Sequence, residues 1–207
     1  MHRILFLGEG TSDEGIAVHV ERIAEGCGLD VALTVPDLGL LPLKDRTVRG
    51  KLEAVMTLGA TFDLVVVHRD SDNVDRRERE QEIREAVEIA VPECPHVAVV
   101  PVKMTEAWLV LDEVAIRSVA GNPGGRMSLG LPGPREAERI ADPKAVLREA
   151  LVAASGLTGR KRTIFQRGFS HQRRQLLERL DHNGAVQHLP SWRTFVDDLQ
   201  NAFAALG

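Results

Sequence analysis

The sequence predicts an α/β fold in which a mostly parallel four-stranded sheet is followed by a helical C-terminal part. Three observations lead there. Four short apolar runs occur in the first half, at residues 4–7, 31–35, 64–67 and 97–102. The runs at 4–7 and 64–67 do not alternate with polar residues, as suits strands covered on both faces. Segments with apolar residues at helical spacing separate the runs, and alternating strand and helix implies parallel pairing through right-handed crossovers.

Taken in order, Ile4-Leu5-Phe6-Leu7 reads as a buried strand running into the turn Gly8-Glu9-Gly10. Ser12 before Asp13 and Glu14 marks a helix start, because acids in a first turn suit the positive end of the helix dipole. Ile16, Val20 and Ile23 follow at helical spacing, and Gly26-Cys27-Gly28 ends the helix. The strand at 31–35 closes at Pro36, and Val48, Leu52, Val55 and Met56 predict a helix ending near Gly59. Leu64-Val65-Val66-Val67 is the strongest strand signal, being continuous and β-branched. Residues 74–90 read as a charged helix with Ile83, Val87 and Ala90 inward, before the last strand at 97–102. Beyond it, residues 106–119 are predicted helical and 121–134 form a Gly/Pro-rich loop. Residues 143–154 form a helix capped by Asp142 with Pro143 at its first position. Helices at 171–180 and 191–206 complete the chain. The expected division is an α/β core over residues 1–120 and a helical C-terminal part over 121–207, packed on that core.

With 43% hydrophobic and 27% charged residues, the 207-residue chain has globular rather than disordered or fibrous composition. Aromatic residues make up only 4% and tyrosine is absent, so the core must be aliphatic. A net charge of −4 argues against a molecule basic throughout, which leaves charge distribution as the informative quantity. Cys27 and Cys94 show no paired metal spacing, so neither a disulfide framework nor a zinc ribbon is expected, and a reducing compartment fits. The first residues lack the length and flanks of a signal peptide, and no apolar run reaches the roughly 18 residues of a membrane span. A cytoplasmic protein without membrane association is expected.

The acids carry the functional signal. In an open parallel sheet, ligands bind outside the carboxyl ends of the strands. Glu9 follows the first strand, Asp70 and Asp72 the third, and Glu106 the fourth by a few residues. In extended chain, residues two apart point the same way, so Asp70 and Asp72 can clamp one cation or share two. Clustered carboxylates repel unless a cation lies between them, and oxygen-only ligands favour Mg²⁺, Mn²⁺ or Ca²⁺ over zinc. Asp13 and Glu14 equally suit the helix start, and His68, two residues before Asp70, reads either as a general base or as a local hydrogen-bonding group.

A second signal is basic. Between residues 156 and 180 there are seven basic residues (Arg160, Lys161, Arg162, Arg167, Arg173, Arg174 and Arg179) against the single acid Glu178. Beside an acidic metal site, such a stretch suits the holding of backbone phosphates. The competing reading is a solvated, salt-bridged helix face. Phe165 and Phe169 either stack on bases or belong to the core, and Trp108 and Trp192 read as core anchors.

Leu7-Gly8-Glu9-Gly10-Thr11-Ser12-Asp13-Glu14 resembles the opening of Toprim domains, and Asp70-Ser71-Asp72 resembles their Asp-x-Asp motif. Glu106-Ala107-Trp108-Leu109, Asp142-Pro143-Lys144 and Pro190-Ser191-Trp192-Arg193-Thr194-Phe195 resemble stretches of the DUF4276 group of Toprim-like proteins. The resemblance implies a Rossmann-like Toprim core with Mg²⁺ or Mn²⁺ held by Glu9, Asp70 and Asp72, and with Glu106 as a further catalytic acid. It implies a metal-dependent nuclease or related phosphoryl-transfer enzyme acting on nucleic acid through Arg160, Lys161, Arg162, Arg167, Arg173 and Arg174. Some Toprim nucleases act with an ATPase in phage defence. This chain carries no Gly-x-x-x-x-Gly-Lys-Ser/Thr string, so such an ATPase would be a separate protein. Without tyrosine, the topoisomerase route is closed. The alternatives are a non-catalytic Toprim-like module that binds nucleic acid or a partner, and a small-molecule phosphohydrolase or receiver-type domain.

Overall fold

The structure, a computed structural model, describes residues 1–72 and 74–207. The chain divides into two compact units, one formed by Met1–Val100 with Thr194–Gly207 and the other by Pro101–Arg193.

The first unit holds the sheet. Its elements are β1 (His2–Leu7), α1 (Ala17–Gly26), β2 (Val31–Thr34), α2 (Val48–Met56), β3 (Leu64–His68), α3 (Arg76–Ala90) and β4 (His96–Val99), with a 3₁₀ turn at Thr11–Ile16 before α1. All strand pairs are parallel, in the order β2-β1-β3-β4. This is the α/β class expected from the sequence, with a fully parallel four-stranded sheet. The register pairs Leu5 with Val65 and Leu7 with Val67, so these side chains share a face. That face packs against Val48, Leu52 and Val55 of α2 and Ile83, Ala86 and Val87 of α3. Ile4, Phe6, Leu64 and Val66 point the opposite way by the strand's two-residue period, and they too are fully buried. Burial of both faces is why these strands read as unbroken apolar runs. The unit also includes the chain from Thr194 through the last turns of α10 (Pro190–Leu206), where Phe195, Leu199 and Phe203 are buried at spacings of four.

The second unit is helical. It contains α4 (Glu106–Leu109), α5 (Glu113–Val119), α6 (Pro134–Ala137), α7 (Pro143–Ser155), α8 (Gly159–Arg167) and α9 (Phe169–Arg179). Trp108 and Trp192 meet edge to face at 5.0 Å, and the Trp108 indole N–H donates to Ser191 Oγ at 2.8 Å. Such a pair is worth roughly 0.5–1.5 kcal/mol beyond its area burial. The sheet-bearing unit runs to Val100 and the helical unit begins at Pro101. The stretch from 106 to 119 builds the helical unit, while the final helix returns to the sheet.

Other boundaries shift for local reasons. The last strand stops at Val99, because Pro101 has no N–H to donate to a ladder. The helix expected over 106–119 is two helices, since Asp112 turns out of helical geometry and caps α5 by accepting from Ala115 N–H at 2.8 Å. Asp142 caps α7 as expected, accepting from Ala145 N–H at 2.8 Å. Helix α8 was not expected, and none of its residues is buried. Among the described residues, no helix is long and apolar enough to cross a membrane.

His96 opens β4, and burial holds its imidazole below the usual 6.5, with Arg84 adding to the effect and Glu88 opposing it. The folded state thus favours the neutral ring. Its contribution is complete above about pH 6.5 and is lost as the pH falls from there through the lowered folded value. His96→Gln should therefore show a smaller drop in urea midpoint between pH 7 and pH 5 than the parent chain.

Candidate functional site

The order β2-β1-β3-β4 reverses direction between β1 and β3, and in open α/β sheets that switch point is where ligands bind. β1 ends at Leu7 beside Val67, so the turn after β1 and the turn after β3 leave the sheet side by side. The first turn is compact. A side chain at Gly8 would come within 3.2 Å of the Gly10 carbonyl and 3.3 Å of Asp13 Cβ, so the turn would have to give by a few tenths of an ångström to admit one. Asp13 closes the turn, accepting from Gly10 N–H at 2.8 Å while its own N–H donates to the Gly10 carbonyl at 3.0 Å.

Glu9 and Asp70 are brought together here. Glu9 Oε2 accepts from the Asp70 backbone N–H at 3.1 Å and lies 4.0 Å from Arg69 Nε. The Asp70 side chain lies 3.4 Å, Oδ1 to Nε2, from His68, the last residue of β3. The other ring nitrogen, Nδ1, lies 3.7 Å from Asp13 Oδ2. His68 and Asp13 are both almost fully buried. A line Asp13–His68–Asp70 therefore runs from beneath the first turn to the second, parallel to the Glu9–Asp70 contact. Sequence reasoning left His68 between a general base and a local hydrogen-bonding group and set Asp13 at a helix start, because the β1–β3 pairing that aligns them is not visible in one-dimensional spacing.

Lys51 was missed altogether. It shares the inward face of α2 with Val48, Leu52 and Val55, where its stem covers apolar surface. Its ammonium donates to the carbonyls of Glu9 at 2.8 Å and Gly8 at 3.2 Å, and it holds the turn from below. Burial pushes the Lys51 pKa down, while the Glu9 carboxylate pulls it back up. A lysine at a core position of an amphipathic helix was the available signal.

Asp72 takes a left-handed backbone (φ 52°), is half exposed, and sits 3.9 Å from Arg79 Nη2. Glu106 belongs to the second unit, where it is buried and accepts from Arg173 Nε at 3.0 Å. Arg173 is buried in that pair, whereas Arg174 is exposed and paired with Glu178 at 3.0 Å. Arg160, Lys161, Arg162 and Arg167 are exposed on α8 and make no ion pair among the described residues.

Two carboxylates with adjacent backbone suit a hard cation that keeps most of its waters, as Mg²⁺ does. Glu9 and Asp70 fit that requirement. A closed set of three ligands is not assembled among the described residues. Asp72, turned toward Arg79, would have to swing inward to join.

Removing one member of a buried ion pair such as Glu106–Arg173 takes a hydrogen-bonded counter-charge from the other, a loss that runs to about 3–5 kcal/mol, whereas replacing both by apolar residues is often neutral. Glu106→Ala should lower unfolding stability by that order in urea titration, and Glu106→Leu with Arg173→Met should recover most of it.

No protein-family model, curated protein or solved structure matches this chain.

Proposed function

We propose that the first unit is a Toprim-like, divalent-metal-dependent phosphodiesterase centre acting on nucleic acid, with Glu9 and Asp70 as principal ligands of Mg²⁺ or Mn²⁺ and Asp72 joining them. The observation that supports this reading most is the Glu9 carboxylate resting on the Asp70 N–H at the switch point of the sheet. A bound cation there would polarise a phosphoryl oxygen and lower the pKa of a coordinated water.

The chain's own residues have definable parts in this scheme. His68, backed by Asp13, orients the Asp70 carboxylate. The Gly8–Gly10 turn, held by Asp13 and Lys51, fixes the direction of Glu9. Arg69, beside Glu9, balances the local negative charge. Glu106, hydrogen-bonded to Arg173, is the further catalytic acid of this scheme. The exposed cations of α8 bind backbone phosphates without reading sequence. The resemblance to nucleases that work with an ATPase in phage defence extends the proposal to a separate ATPase partner.

Plasmid and single-stranded DNA, incubated with Mg²⁺ or Mn²⁺, provide the assay. Glu9→Gln and Asp70→Asn should each cut cleavage by about a hundredfold or more, equivalent to roughly 2.7 kcal/mol of transition-state stabilisation. Asp72→Asn should have a smaller effect. Cleavage that survives Asp70→Ala combined with Asp72→Ala would defeat the proposal.

A non-catalytic binding module is the second reading, and the exposed cations of α8, without an ion pair among the described residues, are the observation that favours it. Both readings require salt-sensitive binding. Replacing Arg160, Lys161, Arg162 and Arg167 by alanine should flatten the plot of log affinity against log salt. The slope should change by about 0.9 for each duplex phosphate no longer neutralised, and by about 0.7 on single strands. Turnover in the same samples separates the two readings.

A further inference from the structure

A cavity of about 340 Å³ opens beside the Gly8–Gly10 turn, between the ends of β1 and β2 and the loop leading into α2. Its size is at the lower end of small-molecule sites, which span roughly 300–1,000 Å³. Two cations line it. Lys51 is 4% exposed, and its ammonium carries three N–H groups. Two of these donate to the carbonyls of Gly8 and Glu9, and the third makes no hydrogen bond among the described residues. Arg46 makes no hydrogen bond or ion pair among the described residues. Its loop is anchored, because the neighbouring Asp45 accepts from Thr47 N–H at 2.9 Å and Thr47 Oγ1 accepts from Gly50 N–H at 3.0 Å. Lys51 and Arg46 thus bring two cationic donors to one cavity, the chemistry that an oxyanion requires.

The rest of the lining narrows the ligand. Val35, Pro36, Leu38 and Leu43 give an apolar wall suited to a flat ring. Glu9 and Glu14 also line the cavity, which favours a ligand bearing hydroxyl or amino donors over a bare inorganic anion. One chemical class combines an oxyanion, hydroxyl donors and a flat, weakly polar ring.

We infer that this cavity binds a nucleoside 5′-monophosphate unit, with its phosphate on Lys51 and Arg46, its sugar hydroxyls toward the acids and its base against the apolar wall. The unit is either a free nucleotide or the phosphorylated end of a strand. The inference stands apart from the metal-dependent reading, because no cation takes part in it.

Isothermal titration in EDTA tests it, using the full chain with adenosine 5′-monophosphate, adenosine and inorganic phosphate as probes. The monophosphate should bind at least about tenfold more tightly than either fragment, and Arg46→Ala, an exposed change that leaves the core intact, should remove about tenfold of its affinity. Lys51→Met with an unchanged urea midpoint should weaken binding at least as much. Support from the monophosphate then leads to competition with a 5′-phosphorylated trinucleotide. Displacement assigns the strand end, and failure to displace assigns the free nucleotide. Equal binding of adenosine and its monophosphate, no binding of the monophosphate at millimolar concentration, or full affinity in Arg46→Ala would each overturn the inference. Because EDTA removes divalent ions, failure of the nuclease assay leaves this result interpretable, and the converse also holds.

Discussion

The parallel pairing of β1 with β3 is the constraint on which the site depends. Two strands separated by an entire βα unit become neighbours because the chain passes over β1 on its way from β2 to β3. The register then carries the chemistry. With Leu7 opposite Val67, His68 ends β3 as the β1 chain enters its turn, and Glu9 reaches the N–H of Asp70. A slip of one residue would put each of these side chains on the wrong face. The apolar identity of Leu5, Leu7, Val65 and Val67, all packed on α2 and α3, prevents that slip, so core packing on one side of the sheet sets the positions of the acids at its end.

The four acids near these turns would repel one another by about 1 kcal/mol per close pair in water, and by more where half buried. Each has a partner from the chain itself. Glu9 has the Asp70 N–H and Arg69, Asp13 has the Gly10 N–H, Asp70 has His68, and Asp72 has Arg79. In the proposed metal site, Asp72 would join Glu9 and Asp70 only by giving up its approach to Arg79. That approach spans 3.9 Å between partly exposed groups, so giving it up is worth less than about 1 kcal/mol.

Much of this was legible in the sequence. Burial on two faces leaves unbroken apolar runs, and β1 and β3 announced themselves that way. The less buried β2 and β4 were marked instead by short apolar runs that Pro36 and Pro101 close. The placement of Glu9 and Asp70 at neighbouring strand ends was also legible, since strand order in an alternating α/β chain has few solutions. The parts that were not legible share a physical cause. Helix α8 buries nothing, so it leaves no periodic apolar stripe. Glu106 follows a strand by only a few residues, yet its partner Arg173 is 67 positions away, and no local pattern links them. Trp108 likewise finds Trp192 across most of the helical segment, a contact that spacing cannot show.

Lys51 ties the turn to the cavity. It is a charged residue in a core position, which is costly unless its hydrogen bonds are satisfied. Its two carbonyl acceptors belong to Gly8 and Glu9, so the same ammonium that shapes the turn also lines the cavity behind it. Glu9 is thereby held at both ends, its carbonyl by Lys51 on one side and its carboxylate by the Asp70 N–H on the other. Displacing Glu9 would therefore break two charge-assisted hydrogen bonds, one at each end of the residue.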